Sequence, residues 1–159
     1  MEKDFLNELG ELALGSRLKR LSDRMMSDAL SVYQELGHDL QPRWFTLMAL
    51  LSKRKEIGVV EASELLGLSQ PAISQFSRDL IKKGYITKKS DKTDSRKKNL
   101  SLTKNGLKIL EEMQDMWIAV DLAAKDICDE VSPGFFSSIV KLEEVLKNKS
   151  LKARSLEKL

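Results

Sequence analysis

Cysteine, histidine, proline and aromatic residues are all scarce in this sequence: one, one, three and 6% of 159 residues. With Cys128 alone, no intramolecular disulfide can form, and a reducing cytoplasm is the natural home. His38 stands next to Asp39 in a predicted turn, without a nucleophile or second ligand at useful spacing. His38 and Cys128 are far apart in sequence, so the parts of a metal site are missing too. No glycine-rich phosphate loop is present. The chain therefore does not read as an enzyme, and no catalytic residue, metal or cofactor is assigned. Long apolar runs are also absent, none reaching the roughly 20 residues that cross a bilayer. Met1 to Gly10 carries Glu2, Asp4 and Glu8 where a signal peptide would be apolar.

What is present is charge, unevenly placed. Hydrophobic residues make up 42% and charged residues 32%, which describes a soluble globular protein of one domain with a core of useful size. The net charge is only +3. Between Ser52 and Lys108, however, fourteen Lys or Arg face six Asp or Glu, a local balance of +8. The remainder holds thirteen basic and eighteen acidic residues, or −5. A basic middle between acidic flanks points to a polyanionic partner for the middle alone. A membrane surface fits less well, because the stretch lacks a long amphipathic helix with an aromatic apolar face.

Inside that basic middle, Ser69 to Lys83 reads SQPAISQFSRDLIKK. Ser69 has N-cap chemistry, Pro71 suits a first turn, and Gly84 is a left-handed terminator. Ile73, Phe76 and Leu80 give the helix a buried side. Gln70, Ser74, Gln75, Arg78 and Lys82 occupy the opposite side, offering groups that read base edges and phosphates in a major groove. Ahead of it, Val59 to Gly67 reads as a short helix with Ala62, Leu65 and Leu66 inward and Glu61 and Glu64 outward. Two short helices joined by Gly67-Leu68-Ser69 make a helix-turn-helix.

After Gly84 the period turns from helical to alternating. Tyr85 to Lys89 and Asn99 to Thr103 read as strands around a turn stretch, Ser90 to Lys98, that is rich in cations. Such a hairpin suits phosphate or minor-groove contact, where the potential that attracts arginine is focused. Asp94, two residues before Arg96, can orient its guanidinium. On the flanks, Phe5 to about Leu36 reads as one long helix ended by Gly37, with Leu14, Leu18, Leu21, Met25, Val32 and Leu36 near one stripe. Gln41-Pro42 opens a helix to about Lys55, with Trp44 and Phe45 as core residues. Thr103 can cap the next helix, and Gly106 allows a close approach. Leu110, Met113, Trp117, Val120, Ala124, Ile127 and Val131 then form an unbroken seam that wants a partner helix. Ser132-Pro133 caps a last helix with a stripe of Phe135, Ile139, Leu142 and Leu146, followed by a charged tail.

The ordered set resembles the MarR family of winged-helix transcription regulators over about Leu9 to Leu146. The residues that carry the resemblance are QPRW at Gln41 to Trp44, EASELLGLSQPAISQF, DLIKKGYI, and above all the wing pattern D-x-x-D-S-R through L-S-L-T-x-x-G, Asp91 to Gly106. The resemblance implies a mainly α protein with a small β-hairpin wing. A DNA-binding lobe over about 40–103 would be flanked by dimerisation helices at about 1–36 and 104–148. It implies a homodimer on pseudo-palindromic double-stranded DNA, with half-sites about 34 Å apart, acting as a transcriptional repressor. Gln70, Pro71, Ala72, Ser74, Gln75 and Arg78 would touch the major groove. Arg96, oriented by Asp94, would enter the minor groove, with Lys92, Lys97 and Lys98 on phosphates.

Relatives in this family bind small aromatic ligands in a cleft, and Trp44, Met25, Met48 and Trp117 are residues of a type that could line one. At helical spacing such residues are more simply core, and no ligand residue is assigned. LGELALGSRLKRLSDRM resembles variants whose winged-helix domain is followed by an acetyltransferase-like domain, so a fragment of a larger regulator is an alternative. A winged helix used for protein contact is another, disfavoured by the local +8. Cys128, among Asp126, Asp129 and Glu130, reads as structural or incidental rather than as a redox switch, since nearby negative charge opposes the thiolate.

Overall fold

Most of the chain folds into helices because its apolar residues recur at helical spacing, and glycines, caps and the prolines Pro42 and Pro71 set the boundaries. The computed structural model of the chain describes residues 4–90 and 98–159. It divides into two compact units, Met1–Glu112 and Met113–Leu159.

In the first unit, short 3-10 turns at Phe5–Asn7 and Gly10–Ala13 precede helix α1, Leu14–Glu35. The single helix expected from Phe5 is therefore interrupted, at Gly10, whose φ is +54°. Asp4 caps the opening turn by accepting from the Leu6 amide at 3.2 Å. It also pairs with Arg20 at 2.8 Å, which holds its carboxyl below the usual range and raises the Arg20 guanidinium. Tyr33 is the buried residue of α1. The predicted stripe of Leu14, Leu18, Leu21, Met25, Val32 and Leu36 is exposed in the single chain.

A 3-10 turn at Pro42–Trp44 leads into α2, Phe45–Arg54. Leu47, Met48 and Leu51 of α2 are fully buried and Trp44 is buried beside this helix start, while Phe45 lies at the surface rather than in the core. Strand β1, Glu56–Gly58, was not expected from the sequence. Helix α3, Val59–Leu66, follows it, and then α4, Gln70–Lys82. Strands β2, Ile86–Ser90, and β3, Lys98–Leu102, form the hairpin, and β1 pairs antiparallel with β3 to give a three-stranded sheet in the order β1-β3-β2. Ile57 opposes Leu100 and Ile86 opposes Leu102. Ile57, Leu100 and Ile86 are buried together with Ala62 of α3 and Ile73 and Leu80 of α4. This is a winged helix-turn-helix, closed by α5, Lys104–Glu112.

The second unit holds α6, Gln114–Val131, α7, Phe135–Asn148, and α8, Leu151–Leu156. The seam expected to run unbroken from Leu110 to Val131 falls on two helices, because α5 ends at Glu112 and α6 begins at Gln114. No proline or glycine marks that break. The N-cap position of α7 is Gly134, φ +79°, rather than Ser132-Pro133. Helix α7 buries no residue completely, and Ile127 and Val131 of α6 are more than half exposed. Ser150 caps α8, accepting from the Ala153 amide at 3.2 Å, which gives part of the charged tail a helical form. Among the described residues, no helix is long and apolar enough to cross a membrane.

Candidate nucleic-acid interface

The turn between α3 and α4 is set by Gly67, which takes the left-handed conformation at φ +62° that a side chain resists. This lets the Leu68 amide bond back to the Ser63 carbonyl at 3.0 Å. Ser63 is buried and Leu65 is exposed, so the inward face of α3 is Ala62 and Ser63, with Leu66 half-buried, instead of the expected set. Two residues later Ser69 caps α4, its Oγ accepting from the Ala72 amide at 3.3 Å. Such a cap is worth about 1 kcal/mol and defines the first residue of the helix.

One side of α4 is anchored by Ile73 and Leu80, both fully buried. Ser77 is buried beside them, its hydroxyl donating to the Ile73 carbonyl at 2.7 Å. Phe76 is half-buried. The other side presents Gln70, Pro71, Gln75, Arg78 and Lys82 as exposed residues, with Ala72 and Ser74 half-buried among them. All six predicted major-groove residues therefore lie on one helix, the polar ones away from its buried side. The Gln75 amide is held at both ends: Nε2 donates to Asp79 Oδ1 at 2.9 Å, and Oε1 accepts from Arg78 Nη2.

The hairpin is in register from Ile86 opposite Leu102 to Ser90 opposite Lys98. Lys98 Nζ donates to Ser90 Oγ at 2.9 Å across the far end. Lys92, Asp94, Arg96 and Lys97 lie outside the described residues. Lys88 and Lys89 are exposed on β2. The sequence reading did not single them out, and the signal available was their place in the strand leading to the cationic turn.

The base of the hairpin is tied to α4 through one residue. Thr103 Oγ1 donates to the Gly84 carbonyl at 2.6 Å and accepts from the Gly106 amide at 3.0 Å, capping α5 as expected. The Thr103 amide donates to the Tyr85 carbonyl, and the Tyr85 amide to the Leu80 carbonyl, each at 3.0 Å. A Cβ at position 106 would stand 2.0 Å from the Tyr85 carbonyl oxygen, so only glycine fits there. The end of α4, the base of the hairpin and the start of α5 are thereby fixed to one another.

The sheet also divides the positive charge. Glu56 opposes Ser101 near the base of the hairpin, so Lys53, Arg54 and Lys55, just ahead of it, belong to the end remote from the Ser90–Lys98 pair. The local +8 is thus not a single patch. Lys55 carries a positive φ of 64°, the one such non-glycine residue among those described. Lys83 is engaged by Asp39 in an ion pair.

The other candidates are scattered. Trp44 and Met48 are buried in the core of the first unit, Met25 is exposed on α1, and Trp117 is half-buried on α6. Cys128 is half-buried on α6, where Lys125 pairs with Asp129 at 2.5 Å. The hydrogen bond and charge of Asp129 raise the Lys125 ammonium. Among the described residues, no cluster of three or more His, Cys, Asp or Glu is arranged to hold a metal ion.

Residues 38–97, which span the helix-turn-helix and strand β2 and end just before β3, match the model of the MarR family. Solved structures with the same fold include a MarR protein from Peptoclostridium difficile, 26% identical, with 91% of this chain and 92% of that chain covered and a TM-score of 0.68. A mutant MarR from E. coli complexed with operator DNA is 22% identical, with 92% and 98% covered and a TM-score of 0.65. Bordetella bronchiseptica BpsR, whose DNA binding is regulated by 6-hydroxynicotinic acid, is 17% identical, with 87% and 95% covered and a TM-score of 0.70.

Proposed function

We propose that this chain, which matches the MarR-family model over residues 38–97, is a transcriptional regulator of MarR type that binds double-stranded DNA sequence-specifically, as a homodimer on a pseudo-palindromic operator. The observation that carries the reading is α4. It is capped by Ser69, pinned by Ile73 and Leu80, and lined outside with Gln70, Gln75 and Arg78, polar groups of the kind that read base edges. The hairpin, tied to the end of α4 through Thr103, brings Lys88, Lys89 and Lys98 to the same lobe. In this reading α4 enters the major groove and Arg96 the minor groove, where the focused negative potential favours arginine. Lys92, Lys97 and Lys98 take phosphates, and Asp94 steadies Arg96.

The homodimer rests on the apolar stripes that one chain leaves exposed, Leu14, Leu18 and Leu21 on α1, and Ile127 and Val131 on α6. Repression follows from occupancy of an operator. Release by a small aromatic acid is the further step, supported by the ligand regulation of BpsR.

Arg96→Ala tests the wing directly. It should lower affinity for the preferred duplex and weaken the preference for A·T-rich flanks, read by equilibrium binding to duplexes that differ only in those flanks. Binding identical to that of the parent chain would remove the wing from the mechanism. Titration of the complex with aromatic carboxylic acids tests ligand release, for which dissociation at sub-millimolar ligand is the expected result.

A further inference from the structure

The Gln75 amide carries more information than its exposure. Arg78 offers only donors, so the Gln75 atom facing it must be the carbonyl Oε1. Asp79 offers only acceptors when ionised, so the atom facing it must be Nε2. The two neighbours, at i+3 and i+4 on the same turn of α4, therefore dictate which way round the amide lies. With one N–H and one lone pair engaged, Gln75, an exposed residue, keeps one further N–H and one further lone pair for a base edge. Adenine presents a matching pair in the major groove, the N7 acceptor beside the N6 donor. Guanine presents two acceptors, N7 and O6, and would set O6 against Oε1.

We infer that Asp79 and Arg78 fix the Gln75 amide so that this position of α4 selects adenine, with Asp79 as a positioning residue that contacts no base itself. The inference rests on the reading of α4 as the major-groove helix. It separates Asp79 from the electrostatic role expected of an acidic residue near phosphates, which would change affinity for all sequences alike.

The test is competition binding of the full chain to its selected duplex against variants changed one base pair at a time. The parent should prefer adenine over guanine by about tenfold at one position in each half-site. Gln75→Ala should abolish the preference at that position and leave the others. Asp79→Ala should reduce it several-fold. Asp79→Asn, whose side-chain oxygen can still accept from Gln75 Nε2, should retain it although the charge is gone. An equal shift for every sequence in both Asp79 variants, with the preference intact, would show that Asp79 acts only through charge and would overturn the inference. So would a guanine preference at the position that responds to Gln75→Ala, or no position that responds. If the parent chain itself selects no motif, the reading of α4 fails along with the inference. Thermal midpoints of the three variants, expected close to the parent because Gln75 is exposed and Asp79 only half-buried, distinguish loss of preference from loss of fold.

Discussion

The lobe around the sheet and the helices of the second unit treat apolar residues in opposite ways. In the lobe, Ile57, Ile73, Leu80, Ile86 and Leu100 are all at most 2% exposed. In the second unit Ile118, Leu122, Ile127, Val131 and Phe136 are each more than half exposed. An amphipathic helix is stable only when its apolar stripe is covered. The lobe covers its own stripes and can hold α4 and the hairpin in fixed relation within one chain. Helices α6 and α7 leave most of theirs open, Met116 at the start of α6 being buried. Under the proposed function, the first region reads a polyanion and the second pairs with another copy.

The largest effect should come from breaking the lobe. Gly106→Ala would push a methyl into the Tyr85 carbonyl, which a helix start and a strand base held by Thr103 cannot yield. A loss of about 3 kcal/mol or more is expected, measured by denaturant unfolding, with DNA binding lost in parallel. Stability equal to the parent would show that the junction is looser than it looks. Ile127→Asp probes the other region. It should weaken self-association at least tenfold in sedimentation while the lobe keeps its stability, because Ile127 is exposed in the single chain. Lost stability without a change in association would contradict the division.

A smaller effect sharpens the comparison within the lobe, between the two ends of the sheet. Lys98→Ala should weaken binding to all sequences about equally and reduce the salt slope by about one. Arg54→Ala, at the remote end, should leave the slope unchanged. Equal losses from the two would mean that the whole basic middle faces DNA. The smallest effect lies at the N-terminal turn. Arg20 holds the Asp4 carboxyl below its unfolded value, so this pair stabilises the fold above the ordinary carboxylate range. Its contribution fades as pH falls through the lowered folded value. Both groups are at the surface, so Asp4→Asn should shift the acid-unfolding curve only slightly and leave stability at pH 7 nearly unchanged.

The parts of this fold that show in the sequence are those where local chemistry and burial agree. Ser69, Pro71 and Gly84 bound α4, Ile73 and Leu80 mark its inner side, and alternation marks the hairpin. Gly106 was legible because a glycine in a first helical turn needs a reason, and the Tyr85 carbonyl is that reason. Strand β1 was not legible, since three residues with one buried apolar side chain show no period, and it forms only because β3 offers an edge. Leu65 points outward and Ser63 inward because α3 is two turns long and its packing against α4 outweighs the hydrophobic order of its own residues. The interruptions at Gly10 and Met113 were hidden by apolar spacing that continues across them. For the candidate interface, the sequence placed the polar side of α4 but not the division of cations between the two ends of the sheet, which only register reveals. The Gln75–Asp79 pair stood in the sequence at helical spacing. Its meaning came from Arg78 closing the other side of the amide.

The most direct test of the central claim is selection of bound duplexes from a random DNA pool with the full chain, repeated at two salt concentrations. The expected result is a two-fold symmetric motif, with half-sites about one helical turn apart, that persists at the higher salt. Recovery of unselected DNA whose binding vanishes with salt would leave only counterion release, and would contradict the reading of α4 and the hairpin as a sequence-specific DNA interface.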